Sequence, residues 1–152
     1  MSDHSFTTSL RWAGSTAAGY DAYPREHELG VAGETVRASS AGAFLGDPDR
    51  PNPEQLLVAA ASSCQLLSFL AVAARARLDV VDYRDEAIGH MPEESRPMWL
   101  THIVLRPRIT FTGSPPRAKI ERLVEVAHRE CFIAASLRSE IVIESVLVGV
   151  TD

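Results

Sequence analysis

One run constrains this chain more than any other. After Pro53 there is neither glycine nor proline until past Leu78, and from Leu56 to Ala74 there is no charge. The residues just ahead of it form a helix start: Asn52 suits the N-cap, Pro53 the first helical position, and Glu54 the positive end of the helix dipole. The run is apolar nearly all round, which predicts a helix buried on most sides. The rest of the chain has to supply what covers it.

The flanking segments have strand character. Phe6 to Trp12 is rich in β-formers, and 26-EHELGVAGETVRA-38 predicts two short strands around Gly33. The segment 40-SAGAFLGDPDRPNP-53 is dense in Gly, Pro and Asp and predicts a loop. Beyond the long helix, Val80 to Met91 and 100-LTHIVLRPRITFTG-113 each read as one strand. Ser114 and Pro115 open a second helix, with Ile120, Leu123, Val124 and Ala127 as its apolar stripe, ending near Cys131. A turn through Ile133 to Leu137 leads to a final strand, 140-EIVIESVLVGV-150. This order predicts an α+β fold with antiparallel sheets packed around a long buried central helix. At 152 residues, with no repeat or linker, residues 1–152 are expected to form a single domain.

Composition narrows the function classes. With 45% hydrophobic and 23% charged residues the chain reads as an ordinary globular protein. A net charge of -5 offers no footprint for nucleic acid or an anionic membrane. No run is read as bilayer-spanning, and MSDHSFTTSL lacks the basic start and apolar centre of a signal peptide. A cytoplasmic location is the expectation. The histidines show no metal-ligand spacing, and no phosphate-binding loop or GxSxG elbow appears, so neither a metal nor a cofactor is expected. Phe44, Phe69, Trp99, Phe111 and Phe132 are expected in the core.

That leaves Cys64, about three turns into the long helix, and Cys131, just past the second helix. In a reducing compartment such a pair is either inert core or redox chemistry. A thiol attacks as thiolate, and an unperturbed cysteine is only a few per cent thiolate at neutral pH. Cys64 lies too deep in the helix to benefit from its dipole, and apolar burial favours the neutral thiol. A nucleophilic Cys64 therefore needs an arginine or similar donor from elsewhere in the fold. A hundredfold shift toward thiolate requires roughly 2.7 kcal/mol, which one charge-assisted hydrogen bond of about 1.5–3 kcal/mol nearly supplies. Spacing alone does not say which residue provides it.

The run 52-NPEQLLVAAASSC-64 resembles the central-helix signature of the OsmC/Ohr hydroperoxide reductases, and 131-CFIAASL-137 resembles their resolving-cysteine segment. The stretches 20-YDAYPREHEL-29, 44-FLGDPDRPNPE-54 and 82-DYRDEAIGHM-91 are similar to an OsmC-like branch, so the likeness covers essentially the whole chain. The resemblance implies an intertwined homodimer that reduces small organic hydroperoxides to alcohols, with an external dithiol, of lipoyl type in the best-known branch, as reductant. It makes Cys64 the peroxidatic residue and Cys131 the resolving one. Glu54 is the carboxylate, and Arg25 the cation that Glu54 orients. Gln65 stands where histidine is frequent, Ala135 replaces an asparagine, and Pro24 replaces a serine. One competing reading is a non-enzymatic, stress-induced domain that binds an apolar ligand and has redox-silent cysteines; another is a thiol–disulfide oxidoreductase acting on proteins, against which the wide cysteine spacing and the lack of a CxxC motif count.

Overall fold

The computed structural model describes residues 3–144 and 147–151. The chain forms two compact units that divide between Leu56 and Leu57.

The first unit carries an antiparallel sheet of β1 (Thr8–Arg11), β2 (His27–Val31) and β3 (Glu34–Ala38), in that order. The hairpin between β2 and β3 turns at Ala32 and Gly33, both with positive φ (52° and 87°), which is the backbone a two-residue connection requires. Gly33 takes that conformation without a steric penalty; Ala32 does not. The expected loop follows and contains one 3-10 turn, Gly42–Phe44. Its ends are tied where Ser39 N–H donates to the Pro51 carbonyl at 3.0 Å and Asp47 N–H to Ser39 Oγ at 3.0 Å.

Helix α1 spans Pro53–Arg75. Its start is a reciprocal cap: Gln55 N–H donates to Asn52 Oδ1 at 2.9 Å, and Asn52 N–H to Gln55 Oε1 at 3.1 Å. The expectation of burial on most sides is not met within this chain. Only Ala61, Gln65, Phe69, Val72 and Ala73 are buried, one stripe at helical spacing, whereas Leu67 is 63% exposed. By length and composition α1 is also sufficient to cross a membrane, contrary to the sequence reading. The stripe, packed against strands and α2, is that of a core helix.

The second unit contains β4 (Val80–Asp85), β5 (Ile88–His90), β6 (His102–Leu105), β7 (Pro107–Thr112), α2 (Arg117–Glu130), α3 (Phe132–Ser136), β8 (Glu140–Ile143) and β9 (Leu147–Thr151). The expected strands Val80–Met91 and 100–113 are each broken in two, and the two breaks are aligned. One sheet has the order β4-β7-β9 and the other β5-β6-β8. Asp85 pairs with Pro107 on one side of the break, and Ile88 with Val104 on the other. Between β8 and β9, Ser145 and Val146 lie outside the described residues. Both sheets are mixed rather than wholly antiparallel, since β8 runs parallel to β6 and β9 parallel to β7. The break would orphan a backbone N–H. Asp85 takes it: Oδ1 accepts from Arg106 N–H at 2.6 Å while Oδ2 accepts from Ser62 Oγ on α1 at 2.5 Å.

Two apolar clusters hold this unit. Phe69, Val72 and Ala73 of α1 pack with Ile109, Phe111, Ile120, Val124 and Ala127. Ala61 packs with Ile103 and Leu105, and the partly buried Ile133 and Leu137 join them. Gly89 lets β5 approach α1, since a Cβ there would meet Val58 Cγ2 at 2.6 Å. Helix α2 begins at Arg117, after Ser114 and Pro115 rather than at them. Of the aromatics expected in the core, Phe69 and Phe111 are fully buried, but Phe132 is 83% exposed. It opens α3 on the side away from Ile133 and Leu137, which take the core positions.

Candidate active site

Cys131 sits where α2 ends and α3 begins. Its backbone is extended (φ -74°, ψ 111°), its N–H donates to the His128 carbonyl at 3.2 Å, and its sulfur accepts from Ala134 N–H at 3.4 Å. It is both the C-cap of one helix and the N-cap of the next. No glycine or proline forces this break; Ile133 and Leu137 turn the chain by burying in the second cluster.

That turn delivers Cys131 to Cys64. The two cysteines are free, Cys64 half-buried and Cys131 2% exposed, and they lie close enough to influence each other's protonation. Cys64 Sγ also accepts from Ile133 N–H at 3.5 Å. The first turn of α3 thus turns N–H groups toward both sulfurs. Among the described residues of this unit, the group hydrogen-bonded to the Cys64 sulfur is a backbone amide. Side-chain identity carries no signal for such a group.

The Cys131 thiol is pushed up, first by burial and then by its neighbour Cys64; the amides of Ala134 and Ile133 pull it back in part. Cys131 is therefore held as a neutral thiol, shielded from solvent, beside a more accessible partner. A cleft of about 440 Å³ runs along this side, lined among others by His128, Arg129, Cys131, Ala135, Ser139 and Glu140. Ala135, one of the departures from the family pattern, forms part of its wall.

Arg25 and Glu54 are not brought together. The Arg25 guanidinium donates to the carbonyls of Tyr23 at 2.7 Å and Tyr20 at 2.5 Å, and lies over the Tyr23 ring at 4.0 Å. Among the described residues no ion pair joins it to Glu54. Two polar residues near the cysteines escaped the sequence reading of the site. Ser62 holds Asp85, and Gln65, noted only as a departure, is buried beside Cys64.

The fold and the paired thiols define an α+β protein with a two-cysteine centre at a helix junction. The family model for OsmC-like protein matches residues 46–146. An OsmC-like protein of unknown function from Vibrio cholerae is 32% identical over 97% of this chain and all of its own, with a TM-score of 0.84. The chain belongs to the OsmC-like family. Two further structures share the fold. An organic hydroperoxide resistance protein from Elizabethkingia anophelis has 17% identity and a TM-score of 0.69, covering 99% of this chain and 100% of its own. One named organic hydroperoxide resistance protein OsmC from Legionella pneumophila has 18% identity and a TM-score of 0.60, covering 97% and 99%. No curated protein sequence matches the chain.

Proposed function

We propose that this protein reduces organic hydroperoxides through Cys64 and Cys131. The observation that carries the reading is the contact between two free thiols separated by 67 residues (131 minus 64), with helix-start amides turned toward both sulfurs. Family membership and the hydroperoxide resistance proteins among its structural neighbours support the same role.

The Cys64 thiolate attacks the terminal peroxide oxygen. The O–O bond breaks, the alkoxide leaves and takes a proton as alcohol, and Cys64 becomes a sulfenic acid. The Cys131 sulfur then attacks the Cys64 sulfur; water leaves and a disulfide forms. An external dithiol restores both thiols by exchange and is itself oxidised. Roles follow from exposure: peroxide meets the half-buried Cys64 first, while the buried, neutral Cys131 acts second.

The working form in this proposal is a homodimer. Leu10 (66% exposed) and Val31 in the first sheet and Leu67 on α1 are large apolar side chains open to solvent in the single chain. Arg25 and Glu54 belong to the same proposal as the cation and carboxylate that support a Cys64 thiolate.

The test is to treat the reduced protein with a small alkyl hydroperoxide and count thiols. Loss of both, with turnover on added dithiol, is expected. Thiols that survive peroxide would refute the proposal in favour of a ligand-binding domain.

A further inference from the structure

Gln65 is the only polar residue among the five buried on α1, and it is 1% exposed. Its Nε2 donates to the Val124 carbonyl of α2 at 3.4 Å, while its Oε1 has no partner among the described residues. A buried unpaired oxygen is destabilising, so an apolar residue of the same size would be the more stabilising choice. A merely structural role does not account for an amide here.

Its place in the stripe does. Ala61, one turn before, belongs to the cluster that receives Ile133 and Leu137 at either end of α3; Phe69, one turn after, belongs to the cluster that receives α2. Gln65 lies at the seam between them, and Cys131 lies at the junction of the same two helices. Apolar packing holds α2 against α1, but its energy is non-directional and tied to no single pair of atoms. A bond to one chosen carbonyl specifies register. The other polar links between these helices among the described residues, Arg75 to Glu130 and Lys119 Nζ to the Ala76 carbonyl just past α1, rest on exposed side chains and hold little.

We propose that Gln65 is a positioning residue that fixes α2 in register against α1 and so keeps the Cys131 sulfur within bonding reach of Cys64. This rests on the thiol-pair cycle above and adds the residue that governs its second step.

Gln65→Met keeps side-chain length and removes both polar atoms. The variant is expected to melt at or above the wild-type temperature and to react with peroxide at Cys64 as the wild type does. Conversion of sulfenic acid to disulfide is expected to slow about tenfold, the equivalent of about 1.4 kcal/mol. Rapid-quench mass spectrometry counts the two species separately. Closure at the wild-type rate in folded Gln65→Met overturns the positioning role. Should that variant not fold, Gln65→Glu replaces it. An ionised carboxylate cannot donate to the Val124 carbonyl, whereas a protonated one can, and burial pushes this carboxyl up, so the closure deficit relative to wild type should grow with rising pH across a scan from acid to alkaline. A deficit that is absent, or constant with pH, refutes the role. A wild type inert to peroxide would sink the proposed function instead. In that case the closure rate after thiol exchange with a small aromatic disulfide still tests Gln65.

Discussion

Asp85→Ala should be among the most damaging single changes outside the apolar core. Asp85 joins the break in the sheets to the central helix, accepting from Arg106 N–H at 2.6 Å and from Ser62 Oγ at 2.5 Å. Hydrogen bonds to a charged acceptor contribute about 1.5–3 kcal/mol each. The side chain is half-buried and Arg106 is exposed, so the low end applies, giving about 3 kcal/mol for the two bonds together. Asp85→Asn keeps an acceptor for the Arg106 amide and should lose only about 1 kcal/mol. In a chain of this length 1 kcal/mol corresponds to about 2–4 °C, so Asp85→Ala should melt roughly 6–12 °C lower. Urea unfolding should show a lowered midpoint with an unchanged slope. In a double-mutant cycle with Ser62→Ala the losses should fall short of additivity by more than about 0.5 kcal/mol. A cost for Asp85→Ala within about 0.5 kcal/mol, the ordinary range of a surface change, would show that the break in the sheets needs no such clamp.

Four further outcomes are expected. Cys64→Ser should abolish peroxide consumption, whereas Cys131→Ser should consume one equivalent and accumulate a sulfenic acid that a dione probe traps; identical behaviour would reverse the role assignment. Because burial pushes the Cys131 thiol up, disulfide closure in the wild type should keep accelerating as pH rises past the ordinary cysteine range, and stopped-flow rates flat there would contradict a neutral Cys131. Tyr83 is also pushed up, by burial first and then by Asp85, so the folded state holds its phenolic proton where the unfolded state has lost it. That stability is complete below about pH 10 and lost above it, and Tyr83→Phe should flatten the alkaline arm of a urea-midpoint profile. Finally, Glu54 and Cys64 lie ten residues apart on one helix (64 minus 54), about 15 Å along its axis, which favours a site shared between two chains. Cys64→Ser and Glu54→Ala refolded together should then recover about a quarter of wild-type activity by random pairing; mixed dimers without recovery would place Glu54 in its own chain's site.

What was legible in the sequence is what depends on local backbone chemistry. The Asn52 cap, Pro53 at the first helical position and the uninterrupted run behind them are short-range facts, and α1 stands where they predict. The Gly33 turn and the stripe of α2 at Ile120, Val124 and Ala127 are of the same kind. Three things lay beyond such reading. The segments at Val80–Met91 and 100–113 each read as one strand, and only their mutual pairing splits both at one line, where Asp85 accepts the Arg106 N–H. The α1 run is apolar on every side, yet which side is covered depends on what the chain can fold against it, and within one chain that is a single stripe. At the cysteines, residue type named the two sulfurs, while their contact depends on a helix junction 67 residues away (131 minus 64) and on amides that any residue would offer. Gln65 shows the same division: its neighbour in sequence is Cys64, but its hydrogen-bond partner is a carbonyl on another helix, and partners of that kind are chosen only when the helices pack.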